Sequence, residues 1–181
     1  MIGIDKYQHY PPLVGAVKDV EDVFDFLLSS LSVPTSCITK LLDHEATADA
    51  IVNGIRSLAH HPDIKHGDAI LVYFSGHGAR AIAPQGWETS DGYVETICPV
   101  DISSDLTAKP LVSGIPDLML NMLITQIAEK KGDNIVWSRF PTFRAPLAET
   151  SFFICARLSY SIAVILRTVC AANRSYQAFV E

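Results

Sequence analysis

Apolar residues recur along this chain at helical spacing in some stretches and as short unbroken runs in others. Between Val17 and Ser30, the apolar positions Val20, Val23, Phe24, Leu27 and Leu28 form a helical stripe with acids on the opposite side. Thr47 reads as the N-cap of a second helix, in which Ile51, Ile55 and Leu58 share a face before Pro62. Pro116 suits the first position of a third helix, with Met119, Met122, Leu123 and Ile127 expected inward and Gly132 at its end. Met1 to Ile4 reads as the end of a buried strand whose start is cut short. Ile38 to Leu42 and Val94 to Cys98 are expected as short strands. Asp68 to Phe74 is a near-continuous apolar run, as a parallel strand covered on both faces requires. One more buried strand should follow the third helix. Ile135 begins it, but Trp137-Ser138-Arg139-Phe140-Pro141 is a poor continuation, so irregular structure is expected after residue 135.

Alternating strands and helices predict an α/β fold around a mostly parallel sheet. A length of 181 residues suits one domain with a real core, and 49% hydrophobic residues exclude a disordered chain. A net charge of −6 argues against nucleic acid as a partner. The apolar stretch from Phe152 to Leu166 is short and carries Arg157, so no membrane span is expected. Cys37, Cys98, Cys155 and Cys170 have no paired spacing and no secretory signal precedes them, which predicts a reduced, cytoplasmic protein.

Charge is unevenly divided. Residues 1–135 carry −9 and residues 136–181 carry +3, and every Gly, Lys, His and Asp lies in the first part. The expected organisation is therefore a domain over 1–135 and an atypical tail over 136–181. A retained intron, a shifted reading frame or a diverged ending would each produce such a break.

The sharpest chemical signal is Tyr73-Phe74-Ser75-Gly76-His77-Gly78. It puts a histidine between two glycines at the carboxyl end of a buried strand, where α/β sheets gather their sites. An imidazole there is placed to move protons near neutral pH. A phosphate loop is not indicated, because no Lys or Ser/Thr follows at the required spacing.

This segment resembles the caspase-like cysteine peptidases, most closely those of the metacaspase type. Four other blocks resemble the family in the same order: Gly3-Ile4-Asp5-Lys6-Tyr7, Leu13 to Val20, Leu41-Leu42-Asp43 with Ala46-Thr47, and Asp91 to Asp101 followed by Gly114 to Asp117. The resemblance covers residues 1 to about 135. It implies a caspase-like three-layer α/β/α sandwich that hydrolyses peptide bonds with a cysteine–histidine dyad. His77 matches the catalytic histidine, and the Gly78 N–H matches a donor of the oxyanion hole. Asp19 and Ser75 match the pocket for an Arg or Lys before the scissile bond, where a carboxylate partners the cation. Asp19 would equally favour a helix N-terminus, and Ser75 would equally satisfy the turn. No cofactor is required, although calcium activates several relatives, and Asp91 and Asp117 match two of its ligand positions. Pro116 stands where the family often has a second aspartate, leaving few oxygens for an ion that prefers six to eight.

The family's pattern breaks where its nucleophile should be. An aspartate and a cysteine are expected after the third helix, but Lys131 to Ile135 is followed by no Asp-x-Cys or Cys-His pair. Cys155, after Phe152-Phe153-Ile154, and Cys170, after Val164 to Val169, could each occupy a strand end, both without the neighbouring acid or glycines; Cys155 is the weak candidate for the nucleophile, and a buried cysteine acting as a small hydrophobe is the commoner case. An inactive member of a peptidase family is the resulting expectation, with peptides or proteins bearing Arg or Lys as partners. A scaffold or decoy that pairs with homologous peptidase chains is the alternative.

Overall fold

The computed structural model describes residues 1–103 and 113–141. A four-stranded sheet is built from β1 (Ile2–Gly3), β2 (Leu41–Leu42), β3 (Ile70–Gly76) and β7 (Ile135–Pro141), in the order β2-β1-β3-β7. Every pairing in it is parallel. A second, antiparallel sheet contains β4 (Gly78–Ile82), β5 (Tyr93–Ile97) and β6 (Ile115–Pro116) in the order β4-β5-β6.

Helix α1 (Ala16–Ser29) packs on one face of the parallel sheet against β1 and β3. The fit is close: a Cβ on Gly3 would lie 2.7 Å from Val20 Cγ2. Helices α2 (Ala48–Leu58) and α3 (Asp117–Lys131) join the core on the other face, through Ile51, Ile55, Leu123 and Ile127, with Ile2, Ile70, Val72, Phe74 and Ile135 from the strands. The result is the three-layer α/β/α arrangement with a mostly parallel sheet.

Local signals explain the helix starts. The Thr47 hydroxyl accepts the Ala50 N–H at 3.2 Å, the expected N-cap, and Asp101 accepts the Ala48 N–H at 2.9 Å from a distant loop. Gly15 precedes α1 with a φ of +121° and offers no side chain to cap it. Asp5, leaving β1, accepts the Ala16 and Val17 N–H groups at 2.8 and 3.2 Å instead. The third helix ends at Gly132, whose φ of +92° lies in the region that favours glycine.

Two expectations are corrected. The inner face of α3 is Leu120, Leu123, Ile124 and Ile127, an i, i+3, i+4, i+7 stripe, while Met119 and Met122 are exposed. Regular structure also continues past residue 135, as far as Pro141. Strand β7 runs through Pro141 in unbroken register with β3, from Ile70 opposite Ile135 to Gly76 opposite Pro141. Ile135, Val136, Trp137 and Phe140 favour a strand, and backbone pairing with a buried neighbour carries it across polar Ser138 and Arg139. Ile135 enters the core, Trp137 packs against it, and the Arg139 guanidinium is ion-paired with Glu95 of β5. Cys155, Cys170 and the rest of the tail from 142 lie outside the described residues. No described helix is long and apolar enough to cross a membrane.

Candidate active site

Strand β3 ends at Gly76 and β4 begins at Gly78, so His77 is the single residue joining the two sheets, at the carboxyl edge of the parallel one. Its ring Nε2 lies 2.8 Å from the Pro11 carbonyl oxygen. A carbonyl only accepts, so Nε2 carries the proton and Nδ1 is left as the basic nitrogen. The rings of Tyr7 and Tyr10 flank the imidazole, with centroids 4.8 and 5.9 Å away.

The His77 backbone is held as firmly. Its N–H donates to the Tyr7 hydroxyl at 2.7 Å, and that hydroxyl donates to the Cys98 carbonyl at 3.2 Å. In return, the Cys98 N–H donates to the His77 carbonyl at 2.9 Å. Tyr7 can approach because residue 76 has no side chain: a Cβ there would lie 2.7 Å from the Tyr7 hydroxyl and 2.8 Å from the Phe74 ring. Burial raises the Tyr7 phenol well above its ordinary pKa, so the hydroxyl keeps its proton and its donor role.

Gly78 stands opposite Ile97. The preceding pair, His77 and Cys98, occupies a hydrogen-bonding position of the ladder, with the Cys98 N–H on the His77 carbonyl, so Gly78 falls at the alternate position where the N–H is directed away from the neighbouring strand. Position and direction both suit a donor at the edge beside His77.

Asp19 and Ser75 are brought together. The Ser75 hydroxyl, fully buried on β3, donates to Asp19 Oδ2 at 2.9 Å, while Asp19 itself is exposed in the first turn of α1. The Tyr73 phenol, pushed up to about 12 by burial and then by the nearby Asp19 and Asp22 charges, belongs to the same acidic side of the sheet.

Asp91 and Asp117 are not brought together. Asp91 precedes β5, where it accepts the Tyr93 N–H at 3.0 Å and pairs with Arg80. Asp117 follows β6 and accepts the Leu118 N–H at 2.7 Å. Since Pro116 faces Thr96 on β5, most of that strand separates the two carboxylates. Among the described residues, no group of three or more His, Cys, Asp or Glu side chains is arranged to hold a metal.

The metacaspase peptidase C14 domain family matches residues 1–128. The chain belongs to the metacaspase family. Relatives include metacaspase III c of Phaeodactylum tricornutum, 30% identical over 64% of this chain and 38% of its own length. Metacaspase-4 of Arabidopsis thaliana is 29% identical over 64% of this chain and 29% of its own. Metacaspase-1 of Mycosarcoma maydis is 34% identical over 56% and 26%. The chain thus spans between 25% and 38% of the length of the curated relatives it matches. A crystal structure of a Geobacter sulfurreducens protein shares the fold, with a TM-score of 0.54 and 20% identity over 77% of this chain and 47% of that one.

Within this metacaspase domain, the thiols among the described residues are Cys37, exposed, and Cys98, buried. Cys98 adjoins His77 through the backbone, yet burial pushes its thiol up to about 11, far from the thiolate that attacks carbonyls. At the edge beside Phe74-Ser75-Gly76, β7 presents Arg139, Phe140 and Pro141. The contributions of Tyr7, Pro11 and Cys98 to this site were not singled out from sequence. Pro11 acts through a carbonyl that every residue has, and Tyr7 and Cys98 are far apart in the chain.

Proposed function

We propose that this domain is built for cysteine-dependent cleavage of peptide bonds after Arg or Lys, and that this chain binds such peptides without turning them over. The observation that carries the reading is the edge beside His77. The imidazole is oriented by Pro11 with a basic Nδ1, while the neighbouring strand arrives there with Arg139-Phe140-Pro141 and no thiol. A base with no sulfur to deprotonate does not start acyl transfer. Asp19, held by buried Ser75, is the carboxylate to receive a substrate guanidinium or ammonium, which favours basic over acidic peptides.

The test uses fluorogenic peptides ending in Arg or Lys, with and without calcium. Expected is binding by fluorescence anisotropy, weakened at least about tenfold in Asp19→Asn, with no release of the fluorophore. Turnover abolished by His77→Ala would overturn the inactive reading, and loss of turnover in Cys155→Ala would name the thiol. Calcium acting through Asp91 would have to displace Arg80 from it, so the ion is expected to leave the melting temperature unchanged.

A second reading, a non-catalytic partner of homologous peptidase chains, is favoured by the place of β7. It ends the described strand order β2-β1-β3-β7, and an edge strand is a template for pairing with another sheet. Co-elution with an active metacaspase, lost when Val136 is replaced by Pro, would support it; separate elution would not.

A further inference from the structure

In a regular antiparallel pair, two residues that face each other at a hydrogen-bonded position exchange both of their N–H···O contacts. His77 and Cys98 make one of the two directly, from the Cys98 N–H to the His77 carbonyl. The other is interrupted: the His77 N–H donates to the Tyr7 hydroxyl, which donates onward to the Cys98 carbonyl. One phenol oxygen therefore stands between the His77 N–H and the Cys98 carbonyl, bridging the β4–β5 ladder at the residue carrying the imidazole. Elsewhere the ladder closes normally, as where the Ala83 N–H reaches the Gly92 carbonyl at 2.9 Å.

We propose that Tyr7 is a positioning residue that sets the direction of the His77 imidazole by holding this ladder open. His77 lies between two glycines, so its local backbone has little stiffness of its own. Tyr7 and Pro11 belong to one segment, fixed by the Leu13 N–H on the Asp5 carbonyl at 2.8 Å, so the same strap that wedges the ladder presents the carbonyl that selects the Nε2–H tautomer. Without the wedge, the His77 N–H can reach the Cys98 carbonyl directly. That movement draws the ring away from Pro11 and releases the tautomer. The importance of the device rests on the proposed role of His77, but the geometry is measurable without it.

The experiment is nuclear magnetic resonance on the full chain, with the His77 ring signals assigned by their loss in His77→Gln. Wild type is expected to show one tautomer, Nε2–H, and no trans-hydrogen-bond coupling from the His77 nitrogen to the Cys98 carbonyl carbon. Tyr7→Phe keeps the ring and removes only the oxygen. It should produce that coupling and raise the Nδ1–H share measurably above wild type, because the ring loses the partner that directs its proton. Ile4→Val, a core change in the neighbouring strand segment, should lower the melting temperature without moving either signal. A single Nε2–H tautomer and no coupling in Tyr7→Phe would overturn the proposal. Hydrogen exchange on the wild-type chain is a second check that needs no variant. The His77 amide should exchange as slowly as the buried amides of β3, and exchange at the rate of exposed amides would equally overturn it. Failure of peptide binding would remove the proposed function and leave both readouts standing.

Discussion

Arg139 of β7 reaches across from the parallel sheet to form an ion pair with Glu95 of β5, tying the two sheets together beside the candidate site. The Arg139 side chain is only 10% exposed, whereas Glu95 remains 48% exposed. Glu95→Ala should therefore cost more than an ordinary surface pair, about 1 to 2 kcal/mol, because it takes a partner from a nearly buried cation. Arg139→Leu should cost less, since apolar Trp137 and Phe74 lie on the same face. Urea unfolding of both variants checks the ordering.

Gly76→Ala tests the closest approach in the site. The new methyl would meet both the Tyr7 oxygen and the Phe74 ring below 3.0 Å, and overpacking of this kind costs typically 1 to 3 kcal/mol. A melting temperature equal to wild type would show that the segment carrying Tyr7 gives way freely.

Cys98 should be silent toward thiol reagents in the folded chain at neutral pH, while exposed Cys37 reacts. Peptide mapping after brief alkylation distinguishes them. The same burial makes a pH prediction. The folded thiol titrates at about 11 against an ordinary 9.0, so the unfolded chain releases its proton first. The stability this group contributes is fully present below pH 9 and is lost as pH rises toward 11, by up to about 2 to 3 kcal/mol. Cys98→Ala should flatten that part of the alkaline unfolding profile.

Asp5 caps α1 in place of Gly15, which has no side chain to do so. Asp5→Ala should lower stability by about 1 to 2 kcal/mol, the usual cost of a lost cap. The corresponding change at Thr47 should cost less, because Asp101 also serves the first turn of α2.

Much of this architecture could be read before any coordinates. Most of the Asp68–Phe74 run lies in β3, which spans Ile70–Gly76, Thr47 is a cap, and His77 lies at a strand's carboxyl end, because each depends on local sequence. The β4 strand was missed, since Gly78-Ala79-Arg80-Ala81-Ile82 has too few buried positions to look like one; all five are at least partly exposed. Helical spacing alone places Met119 and Met122 inward, but the core takes up the adjacent stripe of Leu120, Leu123, Ile124 and Ile127 instead. The Asp19–Ser75 contact joins residues 56 apart in sequence, and the motif resemblance suggested it where periodicity could not.

By itself, the sequence determined the layers, the family and the histidine between its two glycines, because hydrophobic spacing and turn chemistry act over a few residues. Tertiary structure alone decided that β7 continues to Pro141, that Pro11 selects the imidazole proton, and that a phenol oxygen divides the ladder at His77. The first two depend on a neighbouring strand and on a backbone carbonyl, neither of which marks the identity of nearby side chains, and the third joins Tyr7 to residues 70 and 91 positions away in the chain.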